Sequence, residues 1–445
     1  MKFLTVICLF GIMLVLQMIL NTSNSDVIER APLALGFIML TGHLLGHIAN
    51  RFNLPRITGY LIGGVIAGPY IAKIFPELFF FHGFLQVDVV NQLSTVDKLA
   101  LTLIAFTAGG ECRIESIKKS IKSILIIAIS HMTLVVSIVA GFLFLISSYM
   151  NIFDGMNSFH CFLVCLLIGV ISSANSPASI IAIIVETKSK GRLTELAIGV
   201  TVLKDILVII LFTISVSLIM PILAPGHGDA KSIMILLREL LMSIIVGIGI
   251  GYGIIFYLKS FEKQRTVFIF ILSLIILAMS DYLHLEFLLV AIVAGFVIEN
   301  FSKQGIHFIH SIERASTPVF LVFFAITGAG LHLDSLIKLW PIALAIFAIR
   351  IMAVILATWL SNTITKEDDK IKKYSWTAFL AQAGVSLGFA KLVGAAFPDE
   401  TFGAQLEGII IGAIVLNEIA GPIIFKWGLT KSGEATVLDS TGGGH

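Results

Sequence analysis

The sequence predicts an all-α protein that crosses a membrane about 13 to 14 times. Of its 445 residues, 57% are hydrophobic and 13% are charged, whereas soluble domains have about 25% charged residues. Apolar runs long enough to span a bilayer core, which takes about 20 residues in a helix, recur along almost the whole chain. Lys and Arg collect in alternate connections between these runs, which is the positive-inside pattern of multi-pass membrane proteins.

The apolar runs are separated by charged residues or by Pro and Gly, and each predicts one membrane span. They lie near residues 3–20, 32–50, 56–75, 97–112, 122–149, 161–186, 195–221, 233–258, 266–281, 285–300, 316–332, 337–361, 374–397 and 406–427. The basic connections share one side only if the number of spans is even and both termini are cytoplasmic. The first run lacks a small-residue cleavage site, so we expect an uncleaved helix there. The expected location is a bacterial inner membrane.

The spans predict one transmembrane domain with short extensions. Residues 1–31 are expected to form an extra N-terminal helix and loop, 32–428 the domain, and 429–445 a short polar tail. Two repeats, at about 32–222 and about 266–428, would flank a linker helix at about 233–258. The net charge of +2 is too small to indicate nucleic acid as a partner. With no catalytic or nucleotide-binding motif, neither a soluble enzyme nor a resident cofactor is expected.

Two of the predicted helices carry polar residues, Pro or Gly in their middle, where lipid penalises unpaired backbone groups. The first segment is Ser172 to Ser179, in which Pro177 cannot donate to the carbonyl of Ser173. The second, Gln382 to Gly388, lies seven spans later, as an inverted repeat with crossing broken helices would give. A closely packed Ser-rich helix is the alternative for the first segment taken alone. The candidate crossing-site residues are Ser173, Asn175, Ser176, Pro177, Gln382, Gly384 and Ser386.

Asp205 is an isolated acidic residue about ten positions into the seventh predicted span, near the middle of the bilayer. Burial raises the pKa of such a carboxylate and nearby cations lower it, so protons and metal ions can compete for it. Thr201 precedes it by one helical turn and shares its face. The alternative is a paired aspartate that only pins helices together.

Other ionisable residues inside predicted spans are candidates of different strength. Arg350 interrupts the twelfth span, and its guanidinium needs a carboxylate, a carbonyl or water as partner; Asp205 or the carbonyls of the broken helices would serve. Lys204 is adjacent to Asp205 but points about 100° away on a helix. Glu418 could support the site or cap a packing contact. His43 and His47, one turn apart on the second span, could titrate near neutral pH or bind a metal, with a packed helix face as the alternative. His284, His332 and the remaining histidines are interpreted as interfacial groups near loops.

Segments in a fixed order resemble the monovalent cation:proton antiporter-2 family, which contains Kef-type potassium and bacterial sodium exchangers. The segment Asn53 to Pro69 is similar to the first signature sequence of that family. Later similar stretches are Phe106 to Glu111, Ser176 to Ala178 followed by Glu186 and Gly191, Phe323 to Leu331, Ala381 to Gly384, and Glu418 to Pro422. The resemblance covers about residues 32 to 428, and the ordered series is more specific than any single motif.

The resemblance implies a secondary transporter that exchanges Na+ or K+ for protons. By this likeness, Asp205 would bind either the cation or the proton, Arg350 would hold a position usually occupied by Lys or Arg, and 172–179 with 381–388 would be the crossing helices. The family also implies a homodimer in which a core bundle moves like an elevator against a dimerisation bundle. Because no nucleotide-binding tail follows the domain, regulation by such a domain is not expected.

Lys204 departs from the family pattern, in which the residue before the essential aspartate is usually Asp, Asn or a neutral polar group. With Arg350 nearby, the site would hold two cations against one carboxylate. Three outcomes stay open. Lys204 turns away or deprotonates when a cation binds; it acts as a built-in cation whose proton release is coupled to ion entry; or cation exchange is lost and the chain transports another solute or serves as a membrane sensor.

Overall fold

The computed structural model describes residues 27–70, 87–111, 114–147, 155–223, 233–260, 265–302, 318–331, 333–382, 385–395 and 400–435, with Gly11, Phe153 and Phe397. Within these ranges the regular structure is helical and contains no strand. Seven described segments are long and apolar enough to cross a membrane, one of them, Ser158–Thr187, being two helices in succession, and four shorter apolar helices accompany them. The predicted all-α membrane fold is confirmed.

The helices follow the predicted spans in order. They are α1 (Val27–Arg51), α2 (Arg56–Ala67), α3 (Val87–Gln92), α4 (Ser94–Glu111), α5 (Ile114–Ile146), α6 (Ser158–Ser172), α7 (Pro177–Thr187), α8 (Arg192–Leu223), α9 (Ile233–Ser260), α10 (Arg265–Leu283), α11 (Phe287–Phe301), α12 (Pro318–Ala329), α13 (Leu333–Ile364), α14 (Asp369–Tyr374), the 3-10 helix Ser375–Phe379, α15 (Val385–Ala395) and α16 (Glu400–Ser432). The first predicted span, except Gly11, and the tail beyond residue 435 lie outside the described residues. The repeat boundaries stay predictions.

Packing divides the described helices into two groups. The core bundle comprises α5 to α8 and α13 to α16, with long α13 lying against both α5 and α16. The flanking bundle comprises α1 to α4 and α9 to α12, in which α4 and α9 both pack on α11. The two bundles meet along smaller contacts, mainly of α7 with α2 and α4, of α8 with α9 and of α16 with α2. The candidate site lies on the core-bundle side of this boundary.

Glycine allows two helix pairs of the flanking bundle to touch backbone to backbone. A Cβ atom on Gly64 of α2 would collide with the carbonyl oxygen of Ala325 in α12, and one on Gly109 of α4 would collide with that of Ile292 in α11. Small residues permit such close approach where lipid supplies no hydrophobic driving force. The second helix of each predicted repeat thus pairs with the third helix of the other.

At one end of the core bundle a single carboxylate links α5, α8 and the connection after α13 through hydrogen bonds. Glu367, in the connection after α13, accepts hydrogen bonds from Arg192 Nε of α8 at 3.0 Å and from Ser123 Oγ of α5 at 2.6 Å. Burial alone would raise the pKa of Glu367, but the hydrogen bonds from Arg192 and Ser123 and the charge of Arg192 outweigh it and hold the pKa below 4.5. The ionised form therefore stabilises this end of the bundle.

Replacing Glu367 by glutamine is expected to destabilise the protein at neutral pH and to have no effect in acid. The folded-state pKa lies below the ordinary value of 4.5, so this stabilisation is present above pH 4.5 and is lost as the pH falls through the folded-state pKa. Thermal unfolding of native and E367Q protein in detergent, from about pH 7 to about pH 3, measures the difference. The control is E195Q, since Glu195 is an exposed partner of the same arginine at 3.8 Å. A difference independent of pH would contradict the prediction.

Candidate functional site

The two interrupted helices meet within the core bundle, as the sequence predicts. Helix α6 ends at Ser172, residues 174–176 are not helical, and α7 begins at Pro177. The backbone N–H of Ser176 donates to the carbonyl of Ala381 in the second break at 2.8 Å. Gln382 Nε2 donates back to the carbonyl of Ile171 at 3.0 Å. The two breaks are therefore hydrogen-bonded directly to each other.

Arg350 of α13 binds the carbonyl ends of both interrupted helices. It is fully buried, and its guanidinium donates to the carbonyls of Ser172 (2.7 Å) and Ala174 (3.0 Å) in the first break. It donates likewise to Phe379 (3.2 Å) and Leu380 (2.6 Å) at the second. These carbonyls lie at helix C-termini, where the helix dipole favours a positive charge. The partners of Arg350 are thus the carbonyls of the two broken helices and not Asp205.

Asn417 of α16 extends the network from Arg350 to the second break. Its Oδ1 accepts from Arg350 at 2.7 Å, and its Nδ2 donates to Gln382 Oε1 at 3.0 Å and to the carbonyl of Ala413 at 2.8 Å. This amide satisfies donor and acceptor groups without adding a charge. Gln382 therefore connects the carbonyl end of α6 with α16.

Glu418 lies beside the start of α7. It is 1% exposed, and its Oε1 accepts from Ser179 Oγ at 3.1 Å, while its Oε2 has no hydrogen-bond partner among the described residues. Ser176 caps α7, its Oγ accepting from the backbone N–H of Ser179 at 3.2 Å. An acidic group near a helix N-terminus complements the positive end of the helix dipole. Glu418 thus lies at the positive end of α7, whereas Arg350 binds the carbonyl end of α6.

Lys204 points into the core bundle and contacts no carboxylate among the described residues. Its Nζ lies 2.7 Å from Nδ1 of His131 on α5 and donates to Asn175 Oδ1 in the first break at 3.0 Å. The ring of Phe379 lies beneath it, with 5.8 Å between Nζ and the ring centroid. Lys204 and His131 are both fully buried. The lysine therefore turns away from the neighbouring aspartate.

Asp205 occupies the other side of α8. It is partly exposed, and it forms neither a hydrogen bond nor an ion pair within the part of the chain that the structure describes. Glu286, at the start of α11 in the flanking bundle, lies near enough for the two carboxylates to interact. Thr201, one turn earlier, is 2% exposed and its Oγ1 has no partner among the described residues. The Asp205 carboxylate and the Thr201 hydroxyl of α8 therefore have no hydrogen-bond partner among the described residues.

The structure brings most of the predicted site residues together. Asn175, Ser176, Gln382 and Arg350 form the hydrogen-bonded crossing described above, and Pro177 is the first residue of α7. Ser173 is buried but bonds only its own helix, to the carbonyl of Val170. Ser386 is buried in α15 with no partner for its Oγ among the described residues. Gly384 lies outside the described residues.

Sequence reasoning missed residues that the structure puts at the site. The interpretation of the remaining histidines as interfacial is wrong for His131, which lies inside α5 and is fully buried. A titratable residue in the middle of an apolar span, the signal that singled out Asp205, would have identified it. Asn417 carried no such signal, because amides are common in membrane helices. Ser179 belongs to the predicted segment Ser172 to Ser179 but was not singled out within it. Glu286 is at the start of the predicted span 285–300, between α10 and α11 in the structure, and comes near Asp205 only through the packing of the bundles.

Comparison with known proteins agrees with this architecture. The sequence model described as sodium/hydrogen exchanger, transmembrane, matches residues 36–431. The Na(+)/H(+)-K(+) antiporter GerN of Bacillus cereus is 22% identical over 408 residues, which are 88% of this chain and 95% of GerN. The probable Na(+)/H(+) antiporter 3 of Methanocaldococcus jannaschii is 28% identical over 176 residues, and the match covers 39% of each protein.

A solved structure has the same fold. The sodium proton antiporter MjNhaP1 of Methanocaldococcus jannaschii, at pH 8, superposes with a TM-score of 0.69 at 18% identity, covering 92% of this chain and 99% of that one. The family match extends over most of the chain, and it includes the crossing, Asp205 and Arg350. The chain therefore belongs to the sodium/hydrogen exchanger transmembrane family.

Proposed function

We propose that this protein is a secondary transporter that exchanges Na+ or K+ for protons at Asp205. Family and fold support cation:proton exchange. The observation that carries the assignment to Asp205 is the state of its carboxylate. It is partly exposed at the bundle boundary, while the two cationic side chains of the site are bonded to other groups. Its oxygens are therefore left for a cation or a proton.

The surroundings of Asp205 suit a small cation. Carboxylate, hydroxyl and carbonyl oxygens are the ligands of alkali-metal sites in transporters with broken helices. Thr201 Oγ1 has no partner among the described residues, and the Asn175 amide lies in the adjacent break. Lys204 is directed to His131 and Asn175, so its contact is not with the carboxylate. The direction of Lys204 therefore supports cation binding at Asp205.

We propose an elevator-type cycle. The interrupted helices, Arg350 and α8 all belong to the core bundle and are joined by internal hydrogen bonds, whereas the core bundle meets the flanking bundle over fewer contacts. Movement of the core bundle as one body would expose Asp205 to each side of the membrane in turn. A homodimer joined through the flanking bundle, as the family resemblance implies, is part of this proposal.

Replacing Asp205 by asparagine is expected to abolish cation-dependent proton transport while leaving the fold intact. Asparagine keeps the size of the side chain but neither ionises nor exchanges a proton for a cation. The measurement is proton flux into proteoliposomes that contain a pH-sensitive dye, after addition of Na+, K+ or Li+ in turn. The cation that produces flux in the native protein identifies the substrate.

The matched control is D281N, since Asp281 is exposed and forms an ion pair with Lys98 at 3.6 Å. Normal cation-dependent flux in D205N would exclude Asp205 as the exchange site. Silence in the native protein together with flux in K204N would favour the alternative that Lys204 has closed the site. A monodisperse elution profile of D205N in detergent separates loss of transport from loss of folding.

A further inference from the structure

A charged contact joins the two bundles at the connection between α1 and α2, and it takes no part in the exchange proposed so far. Glu186, at the end of α7 in the core bundle, accepts from the backbone N–H of Arg56 at 2.8 Å with its Oε2. Its Oε1 accepts from Lys426 Nζ of α16, also in the core bundle, at 3.1 Å. Lys426 Nζ donates as well to the carbonyl of Leu54 at 3.1 Å. Two side chains of the core bundle therefore hold the backbone of the flanking bundle.

Glu186 supplies the cap that the residue before α2 does not provide. That residue is Pro55, which makes no side-chain capping bond, and the first turn of α2 contains no acidic residue. The first N–H groups of a helix have no partner within the helix, and a carboxylate near them is favoured by the helix dipole. A residue of one bundle thus completes a helix of the other.

Lys426 binds the same connection through an acceptor. The position of the Leu54 carbonyl is fixed, because the N–H of Leu54 donates to the carbonyl of Ala49 in the last turn of α1 at 3.0 Å. The ring of Pro55 restricts the backbone between the two contacts. The core bundle therefore binds a connection whose shape is set within the flanking bundle.

The contact is partly exposed, unlike the crossing of the broken helices. The side chains of Glu186 and Lys426 are 15% and 20% exposed, whereas Arg350 is fully buried. Breaking a fully buried ion pair leaves charges without compensation, but here water can replace the hydrogen bonds when the bundles separate. The contact can therefore open and close without a large penalty.

The contact and Glu286 lie at opposite ends of the protein. Helix α7 ends at the contact, and α8, α9 and α10 follow in succession before Glu286, which directly precedes α11. Three successive spans lead from one end of a membrane protein to the other. Asp205 lies near Glu286. In this structure the bundles are thus joined at one end, while Asp205 lies near a carboxylate of the other end.

We propose that Glu186 and Lys426 form a latch, which holds the two bundles together at this end and must open before the core bundle can move. The inference rests on the proposed elevator-type exchange at Asp205. With the latch closed, Asp205 is reached from the end of Glu286; with the latch open, the core bundle can present Asp205 at the latch end. The latch therefore sets the balance between the two states and the relative affinities for a cation at the two faces.

The test compares the apparent cation affinity at the two faces. A cation binds only the state that is open to its own side, so its apparent dissociation constant is the intrinsic one divided by the fraction of that state. The ratio of the half-saturating concentrations of Na+ or K+ for proton flux, in right-side-out and inside-out vesicles, reports the balance of states. Labelling of K190C with a membrane-impermeant maleimide identifies the latch face, because Lys190 is exposed and follows α7.

Three substitutions weaken the latch to different degrees. E186A removes the acceptor for Arg56 and the partner of Lys426. It is expected to strengthen binding at the latch face relative to the other face by about tenfold, which corresponds to about 1.4 kcal/mol. E186Q keeps an acceptor oxygen but loses the charge, so its ratio should lie between native and E186A. K426M removes both hydrogen bonds of the ammonium and should shift the ratio in the same direction.

The matched control is D369N, because the exposed ion pair of Asp369 with Lys372 at 3.2 Å stays within α14 and does not cross the boundary. Its ratio should be native. Hydrogen exchange of the Arg56 amide, followed by mass spectrometry in detergent, tests the contact without transport. Exchange should be faster in E186A than in the native protein and in D369N, and unchanged exchange in E186A would overturn the latch.

The outcomes separate this inference from the proposed function. Cation-dependent flux with the native affinity ratio in both E186A and K426M would overturn the latch and leave exchange at Asp205 standing. A lower unfolding temperature of these variants with an unchanged ratio would likewise overturn it, since the contact would then be structural only. Absence of any cation-dependent proton flux in the native protein would refute the proposed function and this inference with it.

Discussion

Replacing Arg350 by leucine is expected to destabilise the core bundle severely. The guanidinium is the shared donor for the carbonyls of Ser172, Ala174, Phe379 and Leu380. Each buried carbonyl left unpaired costs about 1–3 kcal/mol, so the sum is a large fraction of the roughly 5–15 kcal/mol that stabilises a typical folded protein. Thermal unfolding and size-exclusion profiles in detergent measure the effect.

R350K serves as the graded comparison. Its ammonium keeps a positive charge but has three donors in place of the five of arginine, so its stability is expected to lie between native and R350L. The control R238L alters an exposed arginine of α9 and should change little. If R350L unfolded at the native temperature, the crossing would be held together by other contacts.

Replacing Gly64 by alanine is expected to disrupt the flanking bundle although it adds only one methyl group. The new Cβ would overlap the carbonyl oxygen of Ala325, and backbone atoms cannot rotate away as a side chain does. Overpacking typically costs about 1–3 kcal/mol and occasionally more, and G64A should lie at the upper end. G109A, at the related helix pair, should behave similarly.

The matched control is G253A, because a Cβ on Gly253 of α9 has no heavy atom within 4 Å. Alanine favours a helix over glycine by about 1 kcal/mol, so G253A should be neutral or stabilising. Unfolding temperatures of the three variants in detergent provide the comparison. Equal effects of G64A and G253A would show that helix propensity, not close packing, decides the outcome.

Hydropathy predicted the helices well because the bilayer imposes a fixed length on each apolar run. The predicted span 285–300 corresponds to Phe287–Phe301. The thirteenth span was less accurate, since the apolar run 374–397 contains a 3-10 helix and a break before α15. Composition indicated this interruption but not its form, which depends on the hydrogen bonds that Arg350 and Gln382 make across to the first break.

The candidate site was predictable only where polar residues interrupt apolar runs. Asp205, Lys204, Arg350 and Asn175 were found in this way, and Arg350 was assigned to the broken-helix carbonyls as one of two alternatives. The direction of Lys204 was not predictable, because it depends on which helix face packs against α5. Glu286 could not be found from the chain alone, since its approach to Asp205 depends on how the bundles are packed.

The partners of Arg350 are backbone carbonyls and one amide, and none of these groups titrates. A proton-driven protein must change the charge of its working carboxylate without loosening the scaffold that carries it. Because the groups that Arg350 holds stay the same at any physiological pH, the uptake and release of a proton proposed for Asp205 would leave these contacts unchanged. The residues that hold the interrupted helices together are therefore different from the carboxylate that is proposed to bind and release protons.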